Sequence, residues 1–420
     1  MIKHYNLTNP QTNKGLIHYV IMFTPLLLII NMGLGSQFNP VMIAGYPLNQ
    51  VVNWLVILGV AIVVKNAYKF NMWPVFIIAG VIFSKLASVA MGKPPTVEMI
   101  YRIFVLILLM ALGVIYVSRH LDLIYKQIMI ISLLNVVLMI LQVSNVGDWT
   151  GFLYTGSEEI VTYDIFFVPI DQYYASMFQT RPTGFLRASS VLSSVLLFAM
   201  ALHFGREKNR IWWGTIIISA MIVLAGARIN YLGYLLMGLL IIVKGNRVLR
   251  KHVAYSLLSM IIVMIGYSYF FPALFQNFWR LEVLTSSFYI RMNDIINTLG
   301  PENTIRMMLE EPLRYTPRLY TTEITSGYTI LIQYSLYILA LSFILIPYYI
   351  TAFRKHIQTF PDLKWVTILC LLVFVVYPAA APVFSEFRGQ FYWVIGGFAL
   401  SPIFIKSAQN NIRETEKAVH

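Results

Sequence analysis

Residues 229–271 read INYLGYLLMGLLIIVKGNRVLRKHVAYSLLSMIIVMIGYSYFF: two apolar runs, near 229–243 and 252–271, parted by a turn holding Lys244, Arg247, Arg250 and Lys251. A hydrocarbon layer about 30 Å thick is crossed by roughly 20 apolar helical residues. Both runs approach that length, and all the charge between them is positive. The segment reads as a transmembrane helical hairpin with its turn on the side of the membrane that accumulates Lys and Arg.

The same pattern extends in both directions. Apolar windows predict twelve spans, near 17–34, 47–64, 74–91, 101–117, 123–142, 188–204, 211–226, 229–243, 252–271, 327–349, 365–382 and 390–405. Over the whole chain 58% of residues are hydrophobic and 12% charged, where soluble domains hold about a quarter charged. The expected fold class is an all-α polytopic membrane protein, one integral membrane domain over 1–420. Two long connections, 143–187 and 272–326, are its main extramembrane loops and are expected to hold short helices. The first run lacks a small-residue cleavage site, so it is read as an uncleaved span. The single cysteine, Cys370, lies in an apolar run, which excludes disulfides and cysteine-built metal sites.

Allocating charges to alternate loops separates two faces. One holds 19 of the 31 basic residues and five of the 18 acidic ones. The positive-inside rule makes that face cytoplasmic, with both termini on it. The net charge of +13 is therefore a topology signal, and nucleic acid is not an expected partner. The two faces also differ in the kind of base. The inner face is mostly lysine, whereas the outer holds Arg102, Arg181, Arg187, Arg228, Arg280, Arg291, Arg306, Arg314, Arg318 and Arg388 against Lys85 and Lys93. Arginine is the residue of forked recognition of phosphate and carboxylate. The outer face reads as built to hold an anion.

Particular segments carry that reading. Arg181-Pro-Thr-Gly-Phe-Leu-Arg187 sets two arginines at a turn before the span near 188, where a helix start favours a phosphate; interfacial arginines also simply snorkel. Arg228 sits between two apolar runs with almost no loop, a costly position for a cation beside hydrocarbon. Arg291 and Asp294 share a face of a predicted helix and can pair with each other. Arg306 has the i,i+4 spacing to Glu302 of an ordinary surface pair; Arg314 and Arg318 stand between pairing and ligand binding. Glu323 precedes the Gly327-Tyr328 entry to the next span, placed for a general base or for a counter-ion. Tyr173 and Tyr174 belong to an aromatic, acidic stretch suited to stacking on sugars or to an interfacial belt. All seven histidines fall on the inner side or at its edge, and no Asp-x-Asp, P-loop or His-Glu-x-x-His motif occurs. No cofactor and no metal site are expected.

In order and sidedness these landmarks resemble the O-antigen polymerase and ligase family, which comprises Wzy-type polymerases and lipid A-core ligases. The resemblance covers roughly 175–350: Arg181 to Gly184 before a span, Arg228 at a tight outer junction, Arg291 in a late-loop helix, and Gly327-Tyr328. It implies a GT-C-like fold in the bacterial inner membrane. The implied activity is metal-independent, inverting transfer of a glycan from undecaprenyl pyrophosphate onto the next lipid-linked repeat unit at the periplasmic face. Arg181, Arg187, Arg228, Arg291, Arg314 and Arg318 would hold pyrophosphate, with Arg291 and Glu323 catalytic. Tyr173, Tyr174, Asp294 and Tyr328 would contact glycan. Implied partners are the undecaprenyl-pyrophosphate-linked glycan, membrane lipids and a chain-length-regulating co-polymerase. Family ligases carry a late-loop histidine that this chain lacks, which favours a polymerase; Thr325 stands where polymerases often carry an acid. Alternatives are a flippase of lipid-linked oligosaccharide, which should show two matching halves, and then a ligase.

Overall fold

The computed structural model describes residues 42–43, 46–47, 54–55, 57–59, 108–118, 120–144, 189–206, 213–225, 228–270, 336–376 and 392–403. Among these the helices are α1 (Leu108–Ser118), α2 (Leu121–Ser144), α3 (Ser189–Gly205), α4 (Trp213–Ala225), α5 (Arg228–Lys244), α6 (Arg247–Phe270), α7 (Leu336–Thr359), α8 (Lys364–Val376) and α9 (Tyr392–Ile403). The expected spans at 17–34 and 74–91 lie outside the described residues, as do the long loops beyond Ser144. Among the described residues the one departure from helix is an antiparallel hairpin of two-residue strands, β1 (Met42–Ile43) and β2 (Tyr46–Pro47), which reaches the first residue of the window at 47–64.

Helix ends follow local chemistry. Asn246 caps α6, its Oδ1 accepting from the Leu249 amide at 2.9 Å. Gly245 closes α5 with its amide 2.6 Å from the Ile241 carbonyl. The span expected at 327–349 differs most: α7 runs on to Thr359, well past the apolar window. Hydropathy falls after Tyr349, but nothing there removes a backbone donor. The helix stops only before Pro361, where Phe360 leaves helical geometry with φ −130 and ψ 71.

Two helices, α2 over Leu121–Leu141 and α6 over Arg247–Phe270, are long and apolar enough to cross a membrane. The 24 residues of α6 extend about 36 Å as a helix. The distribution of side chains matches. On α2, Ile130, Leu134, Val137 and Ile140 are exposed along one stripe, while Ser132 and Asn135 are fully buried. On α6, Leu258, Ile261, Ile262 and Ile265 face outward and His252 and Ser256 inward. In water this arrangement would expose an apolar patch and desolvate polar groups at once. In hydrocarbon the outward stripes cost nothing, and the polar groups are better inside. The described part is helical, with two candidate membrane-spanning helices.

At the centre lies α3, in which every residue from Ser194 to Gly205 is buried. It packs on α2, α4, α5 and α8. Small residues permit the closest approaches: a Cβ on Gly205 would lie 2.6 Å from the Val366 Cα. Gly113 of α1 and Gly397 of α9 meet backbone to backbone, and a Cβ on either would overlap the partner's main chain. Contacts between consecutive helices are antiparallel, as the Tyr231–Val223 and Tyr392–Phe374 hydrogen bonds show. The ends carrying Lys126, Arg206, Lys244, Arg247, Arg354 and Lys364 therefore lie together, and this basic end is the one the charge count sorted from sequence.

Candidate functional site

Of the residues read as a site, Arg228 is the one placed among the described residues. Arg181, Arg187, Arg291, Asp294, Arg314, Arg318, Glu323, Tyr328, Tyr173 and Tyr174 lie outside them. Arg228 is the first residue of α5, three positions after α4 ends at Ala225. The tight junction expected from sequence is thus formed, at the end of the hairpin away from Lys244.

What holds that junction is a residue that sequence reading passed over. Tyr231, one turn into α5 and buried, donates its hydroxyl to the Val223 carbonyl in the last turn of α4. That bond satisfies a carbonyl left over at a helix end and ties the two helices beside the turn. One turn further, the Tyr234 hydroxyl donates to Ser219 Oγ at 3.2 Å. The backbone at the opening of α5 is therefore pinned. That helix end carries a positive dipole and amides with no intrahelical carbonyl partner, as any helix start does. No spacing marks Tyr231, because its partner is a backbone carbonyl that only the packing of α4 against α5 brings near.

A second polar constellation gathers at the basic end. The Tyr125 hydroxyl and His203 Nδ1 are 2.8 Å apart, joining α2 to α3. The His203 ring meets the His252 ring edge-on at 4.9 Å, and His252 Nε2 lies 2.6 Å from Thr215 Oγ1. Four helices meet through these contacts. Arg206 follows directly after α3, stacks over the Tyr125 ring at 4.5 Å and pairs with Asp122. Burial lowers the Arg206 guanidinium pKa from its ordinary value. With His203 and His252 nearly inaccessible, the arrangement orders helix ends and leaves no room for a substrate. Sequence placed the histidines on this side, but their meeting depends on how α3 and α6 pack.

Elsewhere at this end His356 is buried, and its Nε2 finds no hydrogen-bond partner among the described residues. Burial pushes its pKa down from 6.5 to about 4, so it stays neutral. Among the described residues no group of three or more His, Cys, Asp or Glu is placed to hold a metal ion. No protein family, no curated protein and no solved structure matches this chain.

Proposed function

We propose that this chain is a polymerase of O-antigen or a related surface polysaccharide, a glycosyltransferase of the bacterial inner membrane acting at the periplasmic leaflet. The fold underlying it has about twelve spans, with both termini and the basic end in the cytoplasm. The observation that carries the proposal is the sorting of bases: ten arginines and two lysines on the outer face, lysine-rich loops on the inner. Arg228, opening α5 at the end away from the basic turn, supports it.

In this reading a growing glycan on undecaprenyl pyrophosphate lies at the outer leaflet. Arg181, Arg187, Arg228 and Arg291, with Arg314 and Arg318, hold its pyrophosphate. A hydroxyl of the next lipid-linked repeat attacks the anomeric carbon as the bond to the pyrophosphate oxygen breaks. The hydroxyl proton passes to Glu323, and undecaprenyl pyrophosphate leaves with its negative charge met by the arginines. Backside displacement inverts the anomeric centre. The sugar–pyrophosphate bond supplies the free energy, so no nucleotide is consumed outside.

The test is a glycan ladder from cells carrying Arg181→Ala, Arg228→Ala or Arg291→Ala. Loss of polymer with single repeats still reaching the surface supports polymerisation. Lipid-linked repeats accumulating on the cytoplasmic side would assign a flippase instead. Unchanged ladders in all three would remove the site.

A further inference from the structure

The turn between α5 and α6 is charged in one sense only. Lys244, Arg247, Arg250 and Lys251 are all exposed on it, and the chain has no Asp or Glu from Lys208 through Leu281. That stretch contains α4 and α5, the two helices packed most closely against α6. Carboxylates to neutralise the turn are therefore absent from its own helices and from these neighbours. Arg250 is committed to the backbone: its Nε donates to the Gly245 carbonyl at 2.9 Å and its Nη2 to the Val243 carbonyl at 3.4 Å, capping α5. Lys244, Arg247 and Lys251 make no ion pair among the described residues.

This arrangement opposes local helix energetics. Arg247 and Lys251 are like charges at i,i+4 on α6, and they sit in the helix's first turns, where the backbone dipole disfavours cations. An external anion would relieve both effects. The surface beside the turn says what kind of anion. Leu239, Ile242 and Val243 of α5 and Tyr255 and Leu258 of α6 are exposed apolar side chains within about two turns of the cations. A ligand that matches both parts has a negatively charged head and long hydrocarbon chains.

We propose that the α5–α6 turn is a binding site for an anionic phospholipid. Its phosphate lies among Lys244, Arg247 and Lys251, and its acyl chains lie along the outward faces of α5 and α6. The site stands apart from the arginine-rich face and does not depend on the polymerase reading.

The experiment reconstitutes the full chain in vesicles of equal phosphatidylcholine and phosphatidylglycerol, extracts it gently and quantifies retained lipid by mass spectrometry. The wild type is expected to retain phosphatidylglycerol preferentially. The triple variant Lys244→Gln/Arg247→Gln/Lys251→Gln should lose roughly fivefold or more of that preference. Its thermal unfolding in phosphatidylcholine alone should match the wild type, since glutamine is a good helix former. Lys251→Gln alone should show a partial loss if the triple variant folds poorly. A control triple at the same end, Lys126→Gln/Arg354→Gln/Lys355→Gln, should keep the preference. Equal retention in wild type and triple variant overturns the proposal. So does equal loss in the control, which would mean diffuse attraction only. Displacement of the lipid by soluble glycerol phosphate would overturn it too, because the apolar faces would then contribute nothing.

Discussion

The Tyr125 hydroxyl lies 2.8 Å from Nδ1 of His203, joining the start of α2 to the end of α3 across 78 residues of chain. The same tyrosine ring carries the Arg206 guanidinium, which pairs with Asp122 one turn before Tyr125. Tyr125→Phe removes the hydroxyl and keeps the ring. The expected loss is about 1 kcal/mol, seen as a lower unfolding temperature in detergent. Tyr125→Leu, which also removes the stacking surface, should lose more. Equal unfolding temperatures for all three proteins would show that the contact contributes nothing.

Glycines discriminate tight packing from open lipid-facing surface. Gly113→Ala or Gly397→Ala drives a methyl group into the partner helix backbone, so each should cost about 1–3 kcal/mol or abolish accumulation of folded protein. On α6, by contrast, a Cβ at Gly266 meets nothing within 4 Å. Gly266→Ala should be neutral or stabilise by up to about 1 kcal/mol through helix propensity. A reversed order in thermal unfolding would contradict the α1–α9 contact.

His356 gives the protein an acid-sensitive component. Its folded pKa of about 4 is below the unfolded 6.5, so between these values the unfolded chain binds the proton more readily. The contribution is complete above pH 6.5 and is lost as pH falls toward 4. His356→Leu cannot bind that proton, and its unfolding temperature should fall less between pH 6.5 and 4 than that of the wild type. Parallel curves would place His356 in contact with water.

In the proposed polymerase, the fork of the Arg228 guanidinium is expected to matter more than its charge. Arg228→Lys keeps the charge and should still shorten the glycan ladder, while Arg228→Ala abolishes it. Glu323→Gln keeps shape and removes the proposed base, and ladder synthesis should fall about 100-fold or more. Full synthesis by Glu323→Gln would exclude it as the base.

Sidedness can be read with thiol probes, because the sole cysteine, Cys370, is buried. New cysteines at exposed Lys126 and Lys355 should react with a membrane-impermeant maleimide only after the inner face is opened. One at Glu282 should react in intact spheroplasts. Labelling of Lys126→Cys from outside would invert the topology.

Much of the fold could be read from one dimension because the relevant interactions are local. Long apolar runs and the charges between them give the helices and the basic end directly. The expected 229–243 and 252–271 became Arg228–Lys244 and Arg247–Phe270. Where the reading erred, as at the end of α7, it took falling hydropathy for the end of the helix. The helix accommodates Pro347 and keeps its backbone bonding as far as the Phe360 amide, stopping just before Pro361.

Sequence alone determined that apolar runs are joined by turns rich in Lys and Arg, as at 244–251, and that Arg228 sits between two apolar runs with almost no loop. These are matters of composition and spacing. Only the tertiary structure decided that Tyr231 pins that junction, that His203 meets His252 beside Tyr125, and that Gly113 and Gly397 bring two helices to backbone contact. Such contacts depend on which side each helix turns toward its neighbours. In a bilayer hydropathy barely specifies that rotation, because lipid and core are equally apolar. Small residues and buried hydrogen bonds specify it instead, and those act only once the helices have met.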